Sequence, residues 1–144
     1  MQPYPTLKAV RVFCFALAFL PVLPALALPV LRCEMLQGDR AFVHEVVPAH
    51  DPYTYSAFDI RNRFRINAIV IGDAQQIDYV KVYAYYYQHG RPVIAHMSHY
   101  PHPAVQADAQ QPALTGLQRV YAPPYGFELQ YSCVLFEPTP PVAP

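Results

Sequence analysis

Three groups of side chains in this sequence have the types and spacing to do chemistry. The first is His96, Met97, His99 and His102 in the stretch HMSHYPHP, with His89 nearby. Imidazole and thioether ligands together suit copper, and neutral imidazole also suits zinc, so the cluster points to metal handling. The spacing works against that. In an extended strand His96 and His99 point to opposite faces, and a helix that would bring them together is opposed by Pro101 and Pro103. In a polyproline conformation residues three apart share a side but stand about 9 Å from each other, too far for one ion. Convergence requires the chain to turn at Tyr100; otherwise these are surface histidines at a strand end.

The second group is Arg61, Arg63 and Arg65 with Tyr83, Tyr85 and Tyr87, each series spaced by two. On neighbouring strands, period-two alternation puts both series on one face. Guanidinium groups beside aromatic faces hold anionic or glycan-bearing partners through hydrogen bonds, charge and stacking. The competing structural reading is that Arg stacks on Tyr across strands as a solvated sheet face, or that a second sheet covers the tyrosines.

The third group is the cysteines. Cys14 lies in an N-terminal leader, which leaves an even pair, Cys33 and Cys133, for one disulfide. Catalysis has less to work with. Beyond the leader the serines are Ser56, Ser98 and Ser132, with no glycine-rich elbow and no close pair of carboxylates. Ser98 beside His96 and His99 is not a triad arrangement, and His44 and Glu45 are adjacent residues that face opposite ways in a strand. The expectation is a protein that is not an enzyme and has no cofactor, copper or zinc at the histidines being the exception.

The leader is read from MQPYPTLKAVR, which carries Lys8 and Arg11, followed by an apolar run from Val12 to Ala27 ending in Ala25-Leu26-Ala27. A charged head, an apolar middle and small residues at −3 and −1 predict a cleavable signal peptide over residues 1–27. The run is shorter than the roughly 20 residues of a membrane span and is interrupted by Pro21 and Pro24, so no stable membrane insertion is expected after cleavage. Arg32 directly before Cys33 argues against a lipidated N-terminus. What remains is the size of one domain, over residues 28–136, with a Pro-rich tail from 137 to 144 that has nothing to pack. The whole chain has ten basic and ten acidic side chains; removing Lys8 and Arg11 leaves the acids in excess by two, which gives no bulk affinity for nucleic acid. The expected address is secreted or periplasmic.

Seventeen prolines and five glycines divide the chain into short segments, and few stretches of helical length keep a 3.6-residue apolar period. The expected strands are Leu31–Leu36, Ala41–Val47, Ile60–Ile71, Ile77–Tyr87, Pro92 to about His99, Leu114–Tyr121, and a last strand from Phe127. If Ile71 opposes Ile77 across the Gly72–Gln76 connection, Ala68 faces Val80, Ile66 faces Val82 and Phe64 faces Ala84, while Arg61, Arg63 and Arg65 face Tyr87, Tyr85 and Tyr83. A one-residue slip would bury polar side chains, so the hydrophobic pattern fixes the parity of this pairing. His89-Gly90 predicts a two-residue turn, after which Ala95 and Met97 continue the apolar face. Cys33 and Cys133 both fall on the apolar phase of their strands. A bridge between them would close a loop of about 100 residues, worth on the order of 4 to 5 kcal/mol in the chain-entropy model. These patterns predict an all-β fold, an antiparallel β-sandwich of immunoglobulin-like type with about six or seven short strands; a small β-barrel is the alternative. The expected function is an exported, disulfide-stabilised binding module that uses the Arg/Tyr face toward an unspecified protein or glycan partner. The alternative is a periplasmic copper- or zinc-binding protein.

Overall fold

A computed structural model of the chain describes residues 27–110 and 112–139. The predicted signal peptide, except for Ala27, and residues 140–144 of the predicted tail lie outside the described residues. Within them the chain forms eight strands and no helix: β1 (Val30–Gln37), β2 (Arg40–Val46), β3 (Ser56–Ile60), β4 (Phe64–Gly72), β5 (Ile77–Gln88), β6 (Arg91–Pro101), β7 (Gln118–Ala122) and β8 (Phe127–Phe136). They make two antiparallel four-stranded sheets, ordered β2-β1-β8-β7 and β3-β4-β5-β6. The fold is a β-sandwich and not a closed barrel. The second sheet is a plain meander, and the chain changes sheet only between β2 and β3 and between β6 and β7.

Alternation builds the core. Leu31, Cys33 and Met35 of β1 and Leu129, Tyr131, Cys133 and Leu135 of β8 point inward, against Phe64, Ile66, Ala68 and Val70 of β4 and Val80, Val82 and Ala84 of β5. Burying each of the larger aliphatic side chains contributes about 1.5–3 kcal/mol. Cys33 and Cys133 are direct partners in the β1–β8 ladder and form a disulfide, with an S–S distance of 2.07 Å. The bond joins neighbouring strands of one sheet, whereas the hallmark bridge of antibody domains links the two sheets.

β7 pairs only with the first half of β8, from Phe127 to Tyr131. The β6–β7 connection serves the second half. Cys133 donates its N–H to Thr115 Oγ1 at 2.9 Å and accepts the Thr115 N–H at 3.3 Å, and Gln106 donates to the Leu135 carbonyl at 2.9 Å. The backbone flanking the disulfide is thereby satisfied where the short edge strand ends, as buried peptide groups require.

Besides β7, which begins at Gln118 and not at Leu114, the structure departs from the sequence expectation at three places. First, Ile60–Ile71 is not one strand. Arg61 and Asn62 adopt positive φ, 56° and 53°, the signature of a type I′ hairpin turn, and the segment before it becomes β3. Asp59 Oδ1 accepts the Asn62 N–H at 2.8 Å and Arg63 N–H bonds the Ile60 carbonyl at 3.1 Å; these local bonds hold the turn where the sequence has neither Gly nor Pro.

Second, β4 and β5 pair with the expected parity but two residues further along, with Phe64 opposite Tyr86, Ile66 opposite Ala84, Ala68 opposite Val82 and Val70 opposite Val80. The cause is a tighter turn. Asp73 Oδ1 accepts the N–H groups of Gln75 and Gln76 at 2.8 and 3.0 Å, so β4 runs on through Gly72 into a bulge. Gly72 has φ 144°, and a Cβ there would lie 2.2 Å from the Gln76 carbonyl oxygen, which restricts the position to glycine.

Third, Ile94 pairs with Tyr85 but His96 pairs with Ala84, which leaves Ala95 as the extra residue of a β-bulge. The bulge inverts the phase of the rest of β6. Met97 is 55% exposed and lies on the outer face, which corrects its expected place in the apolar face, and His96, Ser98 and Tyr100 turn inward in its stead.

Candidate functional site

The outer face of the second sheet carries most of the predicted binding residues. On β4, Arg65 and Asn67 point outward opposite Tyr85 and Tyr83 of β5, and Ile94 and Met97 continue the same two rows onto β6. The Tyr83 and Tyr85 rings run nearly parallel, 6.3 Å apart with 25° between their planes. Burial, and then the neighbouring Tyr83, push the Tyr85 phenol above its ordinary value. Tyr87, at the end of the column, is pushed up chiefly by its hydrogen bond to the Asp59 carboxylate. Arg65 Nε and Asn67 Oδ1 are buried by their neighbours and have no hydrogen-bond partner.

The three arginines do not form one row. Arg65 lies on the face, while Arg61 sits in the β3–β4 turn with its positive φ. Arg63 accepts the Tyr87 N–H on its carbonyl at 2.9 Å and lays its guanidinium on Phe127, with Cζ 3.9 Å from the ring centroid. The contact takes Arg63 off the sheet face to one end of the sandwich.

At that end the β3–β4, β5–β6 and β7–β8 turns enclose a cleft of about 530 Å³, whose walls include Asn62, Arg63, Tyr87, His89, Tyr125 and Phe127. Tyr125 and Phe127 stand 5.9 Å apart, and Tyr125 is 81% exposed. Tyr125, in the β7–β8 connection, belongs to none of the groups expected from the sequence, yet it lines this cleft. The only signal was an aromatic residue in a loop that has no packing use for it.

The histidines do not converge. His96 enters the interior, where its Nδ1 lies 2.7 Å from the Tyr131 hydroxyl. His99 is on the outer face with its ring edge-on to Tyr79, 5.4 Å between centroids. His102 lies beyond β6 at φ 45°, its N–H bonded to the Asp78 carbonyl at 2.8 Å. The bulge at Ala95 turns His96 inward and leaves Met97 outward, and among the described residues no group of three or more His, Cys, Asp or Glu side chains is placed to hold a metal ion.

Two polar contacts lie outside all the expected groups. Ser56 Oγ and His44 Nε2 are 2.9 Å apart where β2 of one sheet meets β3 of the other. Glu45, on the opposite side of β2, pairs with Arg32 at 2.7 Å.

No protein-family model, no curated protein sequence and no solved structure matches the chain. Among the described residues no helix is long and apolar enough to cross a membrane. The disulfide is consistent with an oxidising, exported location.

Proposed function

We propose that the protein is a secreted or periplasmic, non-catalytic binding module that presents the outer face of its second sheet to an anionic or glycan-bearing partner. The observation that carries this reading is the outward surface itself, where the Tyr83 and Tyr85 rings lie nearly parallel with centroids 6.3 Å apart opposite Asn67 and Arg65, and the exposed Ile94 and Met97 extend it onto β6. The tyrosines give large, rigid contact area with a polar tip, the composition that carries energy at interfaces.

The test is capture from the native surroundings with the mature protein, comparing wild type with the cross-strand double variant Arg65→Ala/Tyr85→Ala. Capture is expected to fall at least tenfold while the circular dichroism spectrum and melting temperature stay close to those of the wild type. Unchanged capture by the double variant contradicts the assignment of this face.

A further inference from the structure

We infer that the cleft at the end of the sandwich is a subsite for an acidic sugar residue, with Arg63, held on Phe127, receiving the carboxylate and Tyr125 stacking on the ring. This deepens the binding reading above and rests on it. At about 530 Å³ the cleft falls within the range of small-molecule sites, about 300–1,000 Å³.

The charge argument comes from Arg63. Stacking on Phe127 at 3.9 Å occupies the face of the guanidinium and leaves its N–H groups, which lie in the plane, directed away from the ring. Among the described residues the one ion pair joins Arg32 to Glu45, so Arg63 has no carboxylate partner. Asp59, the acid of the same hairpin, accepts the Tyr87 hydroxyl and the Asn62 N–H instead. Arg61 lies in the same turn, and Arg91 follows the β5–β6 turn at this end of the molecule. Of the three, Arg63 alone lines the cleft. A guanidinium already fixed in orientation and lacking a partner is a fork for one carboxylate.

The choice of a sugar comes from the other walls. Exposed aromatic rings offer faces to the C–H side of a pyranose, and Tyr125, 81% exposed, packs against little besides Phe127. Asn62, Gln88 and His89 line the same space and together supply both donors and acceptors, which hydroxyl groups arrayed around a ring require. The site is also held in shape before any ligand arrives. Arg61, Asn62 and His89 are fixed at φ 56°, 53° and 50°, and the β7–β8 turn is closed by the Gly126 N–H on the Ala122 carbonyl at 2.9 Å. Preorganised walls reduce the ordering cost of binding a small ligand.

The experiment titrates the mature protein with a galacturonate trisaccharide, the matching neutral galactose trisaccharide, and benzoate as an aromatic acid without hydroxyls, using calorimetry and amide chemical shifts. The acidic trisaccharide is expected to bind at least tenfold more tightly than the neutral one, to weaken as salt rises, and to shift the amides of Asn62, His89 and Gly126. Arg63→Lys, which keeps the charge but loses the fork, and Tyr125→Ala, at an exposed position that does not support the core, should each weaken it at least tenfold. Tyr53→Ala, at an exposed position outside both the cleft and the sheet face, should leave it unchanged. Equal affinity for the neutral sugar, preference for benzoate, or no binding of the acidic trisaccharide overturns the inference. Such a failure beside persistent loss of partner capture in Arg65→Ala/Tyr85→Ala removes the cleft subsite and leaves the sheet face standing.

Discussion

His96 Nδ1 lies 2.7 Å from the hydroxyl of Tyr131, tying the outermost strand of one sheet to an inner strand of the other through the interior. Tyr131 is almost wholly buried, and the imidazole is the partner its hydroxyl meets inside the sandwich. His96→Ala is expected to destabilise the fold by about 1–3 kcal/mol, the cost of stranding a buried polar group. In a Tyr131→Phe background the same substitution should cost less, with a coupling of about 0.5–3 kcal/mol. Urea unfolding of the four proteins of this cycle measures it; additivity would show that the contact contributes nothing.

Tyr131 also predicts an alkaline response. Burial pushes its phenol from 10.0 up to about 12 in the folded protein. Below pH 10 the group is neutral in both states and has no effect. Between about pH 10 and 12 the unfolded chain releases this proton while the folded one retains it, so stability falls as pH rises. Absorbance titration should show a late-ionising tyrosine that Tyr131→Phe lacks, and the variant should lose less stability than the wild type over that interval. Identical pH profiles would contradict the burial argument.

The Cys33–Cys133 bond spans a sequence separation of 100 residues, nearly the whole described chain. Cys33→Ala/Cys133→Ala is expected to cost about 2–5 kcal/mol, a large share of the stability of a domain this size. Thiol labelling of natively isolated protein, denatured without reductant, should find both cysteines unreactive. Two reactive thiols would contradict an oxidised, exported state.

What the sequence makes legible is what side-chain alternation alone decides. The inward faces of β4 and β5, the parity of their pairing, the His89-Gly90 turn and the inward phase of both cysteines follow from period two. The register does not, because a shift of two residues keeps the same faces together, and only the Asp73 turn and the glycine-only geometry at Gly72 select between the alternatives. The β3–β4 turn carries no Gly or Pro; its traces are Asn62, a residue type that tolerates the positive φ found there, and Asp59, whose carboxylate caps the turn three residues on. A bulge has no compositional mark in Val-Ile-Ala-His-Met, yet it decides that His96 is a core contact and Met97 a surface residue. The end cleft is assembled from three turns distant in sequence, and a pattern read along one strand contains none of that proximity.

The central claim, that a partner sits on the outer face of the second sheet, is tested most directly by side-chain footprinting of the mature protein with and without its captured partner. Radical labelling of Tyr83, Tyr85 and Met97 should fall at least severalfold in the complex, while Tyr53, 87% exposed and in the β2–β3 connection, is labelled equally in both. Equal labelling of Tyr83, Tyr85 and Met97 with and without the partner would contradict the claim.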